Sequence, residues 1–237
     1  KPQRTVAYEA GFEDQFTDDM AFTVHAYYKD IFDYPTLVKR GDFNFYKNFD
    51  YASSRGFDLS LNQALGTNFT VSLSYSYLIA KGRAATDLNV LINPQLTQLA
   101  REVRMPWDQT HTANLFASYR VGPRDEGEFF GLPFINNYGI SLTWSFNSGS
   151  PYDGFLKKGY SQVQYNSKIN SETGPYNSGV NLSMYKGLRV FETINLLLTL
   201  DVINLLNRKN PETGSINNYT GRVIQYGDYS DNSAQLI

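Results

Sequence analysis

The side chains here with chemistry to offer are two histidines, His25 and His111, four clustered carboxylates, Glu13, Asp14, Asp18 and Asp19, and many aromatics in polar stretches. Histidine offers acid–base work or metal ligation, but these two fall on different segments without ligand spacing. The carboxylates suggest a calcium loop, yet the run lacks the central glycine and terminal glutamate such a loop needs, and it reads as a solvated turn. Cys is 0, which excludes thiol catalysis and disulfides. No Walker loop or glycine-rich dinucleotide motif is present. The expectation is therefore no enzyme, no cofactor and no metal. A formal charge of −2 leaves no basic footprint for nucleic acid. The remaining chemistry is binding. Phe43, Phe45, Tyr46, Tyr152, Phe155, Tyr160, Tyr165 and Tyr176 combine stacking with hydrogen bonding on rigid groups, so they are candidate ligand contacts. Packing of one loop on another is the competing role.

These candidates sit in or between segments with a period of two. Phe69-Thr70-Val71-Ser72-Leu73-Ser74-Tyr75-Ser76-Tyr77 places large apolar residues at every odd position and hydroxyls at every even one. A strand sends successive side chains to opposite faces, so one face is apolar and the other polar. About eight such segments occur. They are Val6–Phe12, Phe22–Tyr28, Phe57–Asn62, Phe69–Tyr77, Ala113–Val121, Tyr138–Phe146, Val180–Tyr185 and Leu196–Ile203. Helical periodicity fits none of them. Phe69, Val71, Leu73, Tyr75, Leu142, Trp144, Leu198 and Leu200 belong to the apolar face, while Glu9, His25, Asp58 and Arg120 belong to the polar one.

The apolar face must meet either lipid or a protein core. Connectors alternate between short (Glu13–Asp19, Asn62–Asn68, Arg189–Asn195) and long (Ile31–Ala52, Ala80–Asp108, Asn147–Ser178, Asn204–Ile237), with Gly122–Asn137 intermediate. Transmembrane barrels have short turns at one end and long loops at the other, whereas a soluble sandwich has no reason for this order. Aromatics near the segment ends, such as Tyr28, Tyr75, Tyr77, Trp144 and Phe146, fit interfacial girdles. Aromatics are 15% and charged residues 19% of the chain. The mean hydropathy of −0.40 does not oppose a barrel, because only alternate residues face lipid. No run of about 18 apolar residues suits a transmembrane helix. The expected fold is all-β, an antiparallel transmembrane β-barrel. Its apolar set above would face lipid, and Glu9, His25, Asp58 and Arg120 would face the lumen, either solvated or paired with a neighbouring element. Within one long connector, Leu96, Leu99 and Val103 recur at helical spacing after Pro94, which predicts a short helix over Pro94–Arg104. Arg55-Gly56 reads as a strand start, and Asp201 and Asn204 as caps of a strand exit.

Six motifs in order carry a family resemblance. They are Pro2 through Phe12 with Tyr8-Glu9 and Gly11, Ala26-Tyr27-Tyr28-Lys29-Asp30-Ile31, Arg55-Gly56-Phe57-Asp58, Pro106-Trp107-Asp108-Gln109-Thr110-His111, Ser148-Gly149-Ser150-Pro151-Tyr152, and Asp201-Val202-Ile203-Asn204-Leu205-Leu206-Asn207. Together they resemble the C-terminal part of the barrel of TonB-dependent outer-membrane receptors, of the carboxypeptidase-regulatory-like type common in Bacteroidetes. The family's "RG.E" entry has Asp58 in place of glutamate. The resemblance implies that residues 1–237 are the C-terminal portion of a single barrel domain of 22 strands, with the plug domain not in this chain. The start at Lys1 and the polar end fit an internal piece. It implies that Ile31–Ala52, Ala80–Asp108 and Asn147–Ser178 lie outside, and that His111 hydrogen-bonds at the outer interface, with Asp108 as its partner. It also implies residence in the outer membrane of a Gram-negative bacterium, and uptake of a large scarce solute (siderophore, cobalamin, glycan or peptide). A TonB-type energy transducer would act through the plug, with a surface lipoprotein as a further partner. Two other readings stay open: a barrel serving a cell-surface assembly without transport, and a soluble β-sandwich adhesin.

Overall fold

A computed structural model describes residues 2–40, 42–83, 102–123, 136–152, 170–190, 194–216 and 223–225. It contains strands β1 (Arg4–Thr17), β2 (Met20–Arg40), β3 (Phe43–Leu65), β4 (Phe69–Gly82), β5 (Val103–Arg104), β6 (His111–Val121), β7 (Tyr138–Asn147), β8 (Pro151–Tyr152), β9 (Glu172–Thr173), β10 (Asn177–Val190), β11 (Ile194–Val202), β12 (Pro211–Ile216) and β13 (Val223–Gln225). The main sheet runs β1-β2-β3-β4-β6-β7-β10-β11, with β5 alongside the end of β4. Every neighbour in it is antiparallel. Each long strand lies beside the long strand before it; short turns enforce this at β1–β2, β2–β3, β3–β4 and β10–β11, and longer connectors join the others.

From β2 to β10 register carries the two faces across the sheet, because directly opposed residues share a face. Phe22 opposes Leu61, then Leu73, Leu115, Trp144 and Val180 follow strand by strand. On the other face His25 opposes Asp58, and Ser76, Thr112, Asn147 and Asn177 continue the row. A slip of one residue in any ladder would break both rows.

No described element covers the apolar face. Leu73 is 38% exposed, Leu198 51% and Leu200 52%, values a second layer would have abolished. Aromatics bracket this face. Phe57, Tyr75, Tyr77 and His111 form ring contacts toward one end, and Tyr119 meets Tyr138 toward the other. From Phe69 to Tyr77 along β4 is about 26 Å at roughly 3.3 Å per residue, or about 20 Å of height at a tilt near 40°. That approaches the roughly 25 Å apolar band of outer-membrane barrels. Among the described residues β1 and β11 do not pair, so the sheet is an open arc. An open edge cannot face lipid, so closure requires further strands.

Four expectations need correction. Ile31–Ala52 is not a polar loop, since β2 and β3 continue through it for 21 and 23 residues. A hairpin ladder propagates wherever both strands stay extended, and Phe32, Tyr34, Phe43, Phe45 and Tyr51 favour extension. Arg55-Gly56 therefore lies mid-strand. Of the expected helix over Pro94–Arg104, residues 94–101 lie outside the described ones, and Val103 and Arg104 pair as a strand with Gly82 and Lys81. Asn204–Ile237 includes the antiparallel pair β12–β13.

Candidate functional site

The polar face brings three of the four singled-out residues together. Glu9 and Lys29 pair at 3.0 Å. His25 Nε2 lies 3.8 Å from Glu9 Oε2, and its Nδ1 lies 4.0 Å from Asp58 Oδ2. Lys29 also stands 5.0 Å over the Tyr27 ring. All these side chains are well exposed, so solvent screening limits the chain of charges to small energies. Arg120 stands apart, at the far end of β6, where its Nε donates to Ser118 Oγ at 3.2 Å.

Two tyrosine–glycine pairs shape this wall. Tyr27 opposes Gly56 and Tyr185 opposes Gly139. A Cβ on Gly56 would stand 2.0 Å from the Tyr77 carbonyl oxygen and 2.9 Å from the Tyr27 hydroxyl; one on Gly139 would stand 2.2 Å from Tyr185 Cε1. Only a missing side chain lets each ring lie across its neighbouring strand.

Beyond the Phe57–Tyr77–His111 row, the connector after β4 folds back onto the polar face. Met105 packs on Ala52 and Ala80, with Ile31 and Tyr34 beside it. Asp33 takes a left-handed conformation (φ 56°) at a register shift, and this extra residue brings Tyr34 to the same side as Ile31. Arg104 then joins two long connectors. Its Nε donates to Asp108 at 2.8 Å and its terminal nitrogens donate to Thr173 at 2.6 Å and Thr110 at 3.1 Å. Asn170 donates back to the Arg104 carbonyl at 2.7 Å. Asp108 is 1% exposed, so its pairing with Arg104 is what makes a buried carboxylate tolerable. Asp108 is thus not the partner of His111, which instead bonds the Tyr75 hydroxyl at 2.8 Å. Sequence reasoning missed Arg104, Asn170 and Thr173. The one available signal was a cation just before Pro106-Trp107-Asp108.

Nearby, the Tyr51 hydroxyl donates to Asp30 at 2.5 Å. That bond, then burial, raises the Tyr51 pKa above its ordinary value. Asn204 does cap the exit of β11: its side chain holds the Arg208 N–H and carbonyl at 2.9 and 3.1 Å. Asp201 instead accepts from the Ser183 hydroxyl, because its side chain lies on the polar face.

The aromatic candidates separate by position. Phe43 (78% exposed) and Tyr46 (65%) stand free near the tip of the β2–β3 hairpin, with Phe45 beside them. Tyr152 is half-buried and opposes Glu172. Tyr176 lies tilted against Phe146 at 5.4 Å under the Arg208 guanidinium at 4.0 Å, and Phe146 in turn stacks on Trp144. Asn210 closes this corner by bonding both backbone groups of Ser178, as a neighbouring strand would. Phe155, Tyr160 and Tyr165 lie outside the described residues.

This geometry can bind and guide solutes; among the described residues no cluster of His, Cys, Asp and Glu could hold a metal ion. Residues 1–234 match the family model "TonB dependent receptor-like, beta-barrel". No functionally curated protein matches the chain in sequence. Among solved structures, the ferric-catecholate import receptor Fiu from E. coli K12 shares 16% identity over 95% of this chain and 26% of its own, with a TM-score of 0.56. The outer-membrane transporter YddB from Escherichia coli shares 14% over 89% of this chain and 30% of its own, at 0.62. The ferric yersiniabactin uptake receptor FyuA from Yersinia pestis shares 13% over 92% and 26%, at 0.57. These identities speak for the fold alone. The chain spans under a third of the length of those relatives.

Proposed function

We propose, from the premise that this chain belongs to the TonB dependent receptor-like β-barrel family, that it is the C-terminal arc of an energised importer in the Gram-negative outer membrane. In this reading a large scarce solute binds the extracellular side, a plug domain elsewhere in the protein closes the lumen, and an inner-membrane TonB-type transducer supplies the energy. Siderophores, cobalamin, glycans and peptides all fit the size class. Import of ferric chelates by two of these structural neighbours makes metal chelates the first class to test.

One observation carries the reading. From β2 to β10 the apolar and polar rows follow one another strand by strand, with the apolar side uncovered among the described residues and the longest connectors gathered at one end. Such a sheet suits a lipid-embedded wall around an aqueous path and gives a soluble sandwich no inner layer. On this basis Phe69, Val71, Leu73, Tyr75, Leu142, Trp144, Leu198 and Leu200 contact lipid. Glu9, His25, Asp58 and Arg120 line the lumen, and the exposed Phe43, Phe45 and Tyr46 meet incoming ligand, with Tyr152 and Tyr176 at the rim.

The test is uptake. Cells deleted for the gene should lose accumulation of one labelled solute from a panel of ferric chelates, cobalamin, oligosaccharides and peptides. Disabling the energy transducer should remove the same uptake. Unchanged uptake of every class would sink the importer reading. The free hairpin tip favours a second role, docking a surface lipoprotein or other assembly partner, which stoichiometric co-purification dependent on Phe43 and Tyr46 would establish.

A further inference from the structure

Strands β7, β10 and β11 carry a groove of about 380 Å³ in which Gly139, Tyr185 and Thr199 form the middle row, lined on either side by Tyr138, Ile140, Met184, Lys186, Leu198 and Leu200. Its volume falls within the roughly 300–1,000 Å³ typical of small-molecule sites. By register these six residues share the apolar face with Leu142 and Val180, so the groove opens toward the bilayer and not toward the polar wall. Lys186 is the exception in composition. It opposes Tyr138 and Leu198, and going up β10 the residues of its face are Met184, Leu182 and Val180.

A lysine on such a face is costly unless its ammonium reaches an interface. Lys186 reaches one: its Nζ donates to the Asn136 carbonyl, in the β6–β7 connector at the short-turn end. Among the described residues no carboxylate lies within ion-pairing distance of it. A neutral carbonyl occupies one of three donors, so among the described residues the positive charge has no compensating carboxylate. The groove is therefore polarised along the membrane normal, with a cation at its water-facing end and methyl and methylene groups toward the bilayer centre.

We propose that this groove is a specific site for one anionic phospholipid of the periplasmic leaflet, with its phosphate on Lys186 and an acyl chain along Met184, Ile140 and Leu200. The polarity selects the leaflet. A lipid of the outer leaflet has its headgroup at the opposite end, and would bring only tail ends to the lysine. The inference depends on the membrane-embedded fold and not on which solute is carried.

The experiment uses the intact receptor, purified from outer membranes, stripped of lipid in detergent and titrated with dioleoylphosphatidylglycerol under native mass spectrometry. The wild type should retain one tightly held lipid. Lys186→Ala should weaken that retention about five- to ten-fold, as expected for losing one cation at a membrane surface, while Lys186→Arg preserves it. Leu198→Trp, which fills the groove and leaves the charge in place, should weaken it as well. Dioleoylphosphatidylcholine should bind several-fold less than the glycerol lipid. Equal retention by wild type, Lys186→Ala and Leu198→Trp would overturn the site, and equal binding of the two lipids would overturn its charge selectivity. Heat-modifiable gel migration identifies any variant that has not folded, and Lys186→Arg against Leu198→Trp then decides the matter.

Discussion

A charge placed on either side of β4 should separate the two faces. Leu73 lies midway between Phe69 and Tyr77, opposed by Leu61 and Leu115 on the apolar row. Four residues either way is about 13 Å along the strand, or roughly 10 Å of height, which puts Leu73 near the bilayer midplane. Arginine at that depth on a lipid face costs about 2–4 kcal/mol. That corresponds to a roughly 30- to 700-fold loss in the folding equilibrium at about 1.4 kcal/mol per decade. Ser74 is the next residue, opposed by Ser60 and Asn114 on the polar side. Arginine there keeps its hydration in an aqueous lumen, so its cost should be within about 0.5 kcal/mol of zero, as for ordinary surface substitutions. Reversible urea unfolding of the intact receptor in lipid vesicles, followed by tryptophan fluorescence, would measure both. Equal costs for Leu73→Arg and Ser74→Arg, or a larger cost at Ser74, would refute the assignment of lipid to the Leu73 side.

Arg104→Ala should leave Asp108 buried without its cation, at roughly 3 kcal/mol, the low end for a broken buried pair because the guanidinium is itself 24% exposed. The damage should be local, so limited proteolysis of the long connectors should accelerate while the barrel still resists unfolding; unchanged cleavage would contradict the clasp. Gly56→Ala should sharply reduce folded yield, since its Cβ would meet the Tyr77 backbone oxygen at 2.0 Å, whereas Gly179→Ala, whose nearest neighbour is Ser145 Oγ at 3.7 Å, should be tolerated. Tyr51 keeps its proton more tightly folded than unfolded, so its contribution is complete below about pH 10 and declines as the pH rises from there through its raised folded value. Tyr51→Phe should remove that alkaline slope from stability measured against pH. Phe43→Ala with Tyr46→Ala should leave barrel stability within about 0.5 kcal/mol of wild type, because both rings are largely exposed, and should lower ligand or partner binding measured on whole cells.

The alternation that defines the two faces was legible in the chain because a strand's period of two is a local property. Phe69–Tyr77 reads as one apolar and one polar face whatever lies beside it. Short turns such as Asn62–Asn68 likewise force the next strand to lie antiparallel to the last, so the pairings β1–β2, β3–β4 and β10–β11 followed from the sequence. Six short motifs, each weak alone, located the family because together they record where strands begin and end.

Strand length and the clasp were a different matter. Ile31–Ala52 looked like a loop, and became a long hairpin because each strand supplies the other's missing hydrogen-bond partners, a cooperative effect of pairing that neither segment displays alone. Arg104 meets Thr173 across 69 residues of chain, and Asn170 meets Arg104 across 66. Tyr185 covers Gly139 only once β7 and β10 align. Lys186 drew no notice as a lone lysine in an apolar segment; its groove exists because three strands bring Ile140, Met184 and Leu200 onto one patch. The sequence by itself determined which side of each strand is apolar. The tertiary structure alone decided which residues from distant strands share a level, because register is a long-range property fixed by the pairing of the strands.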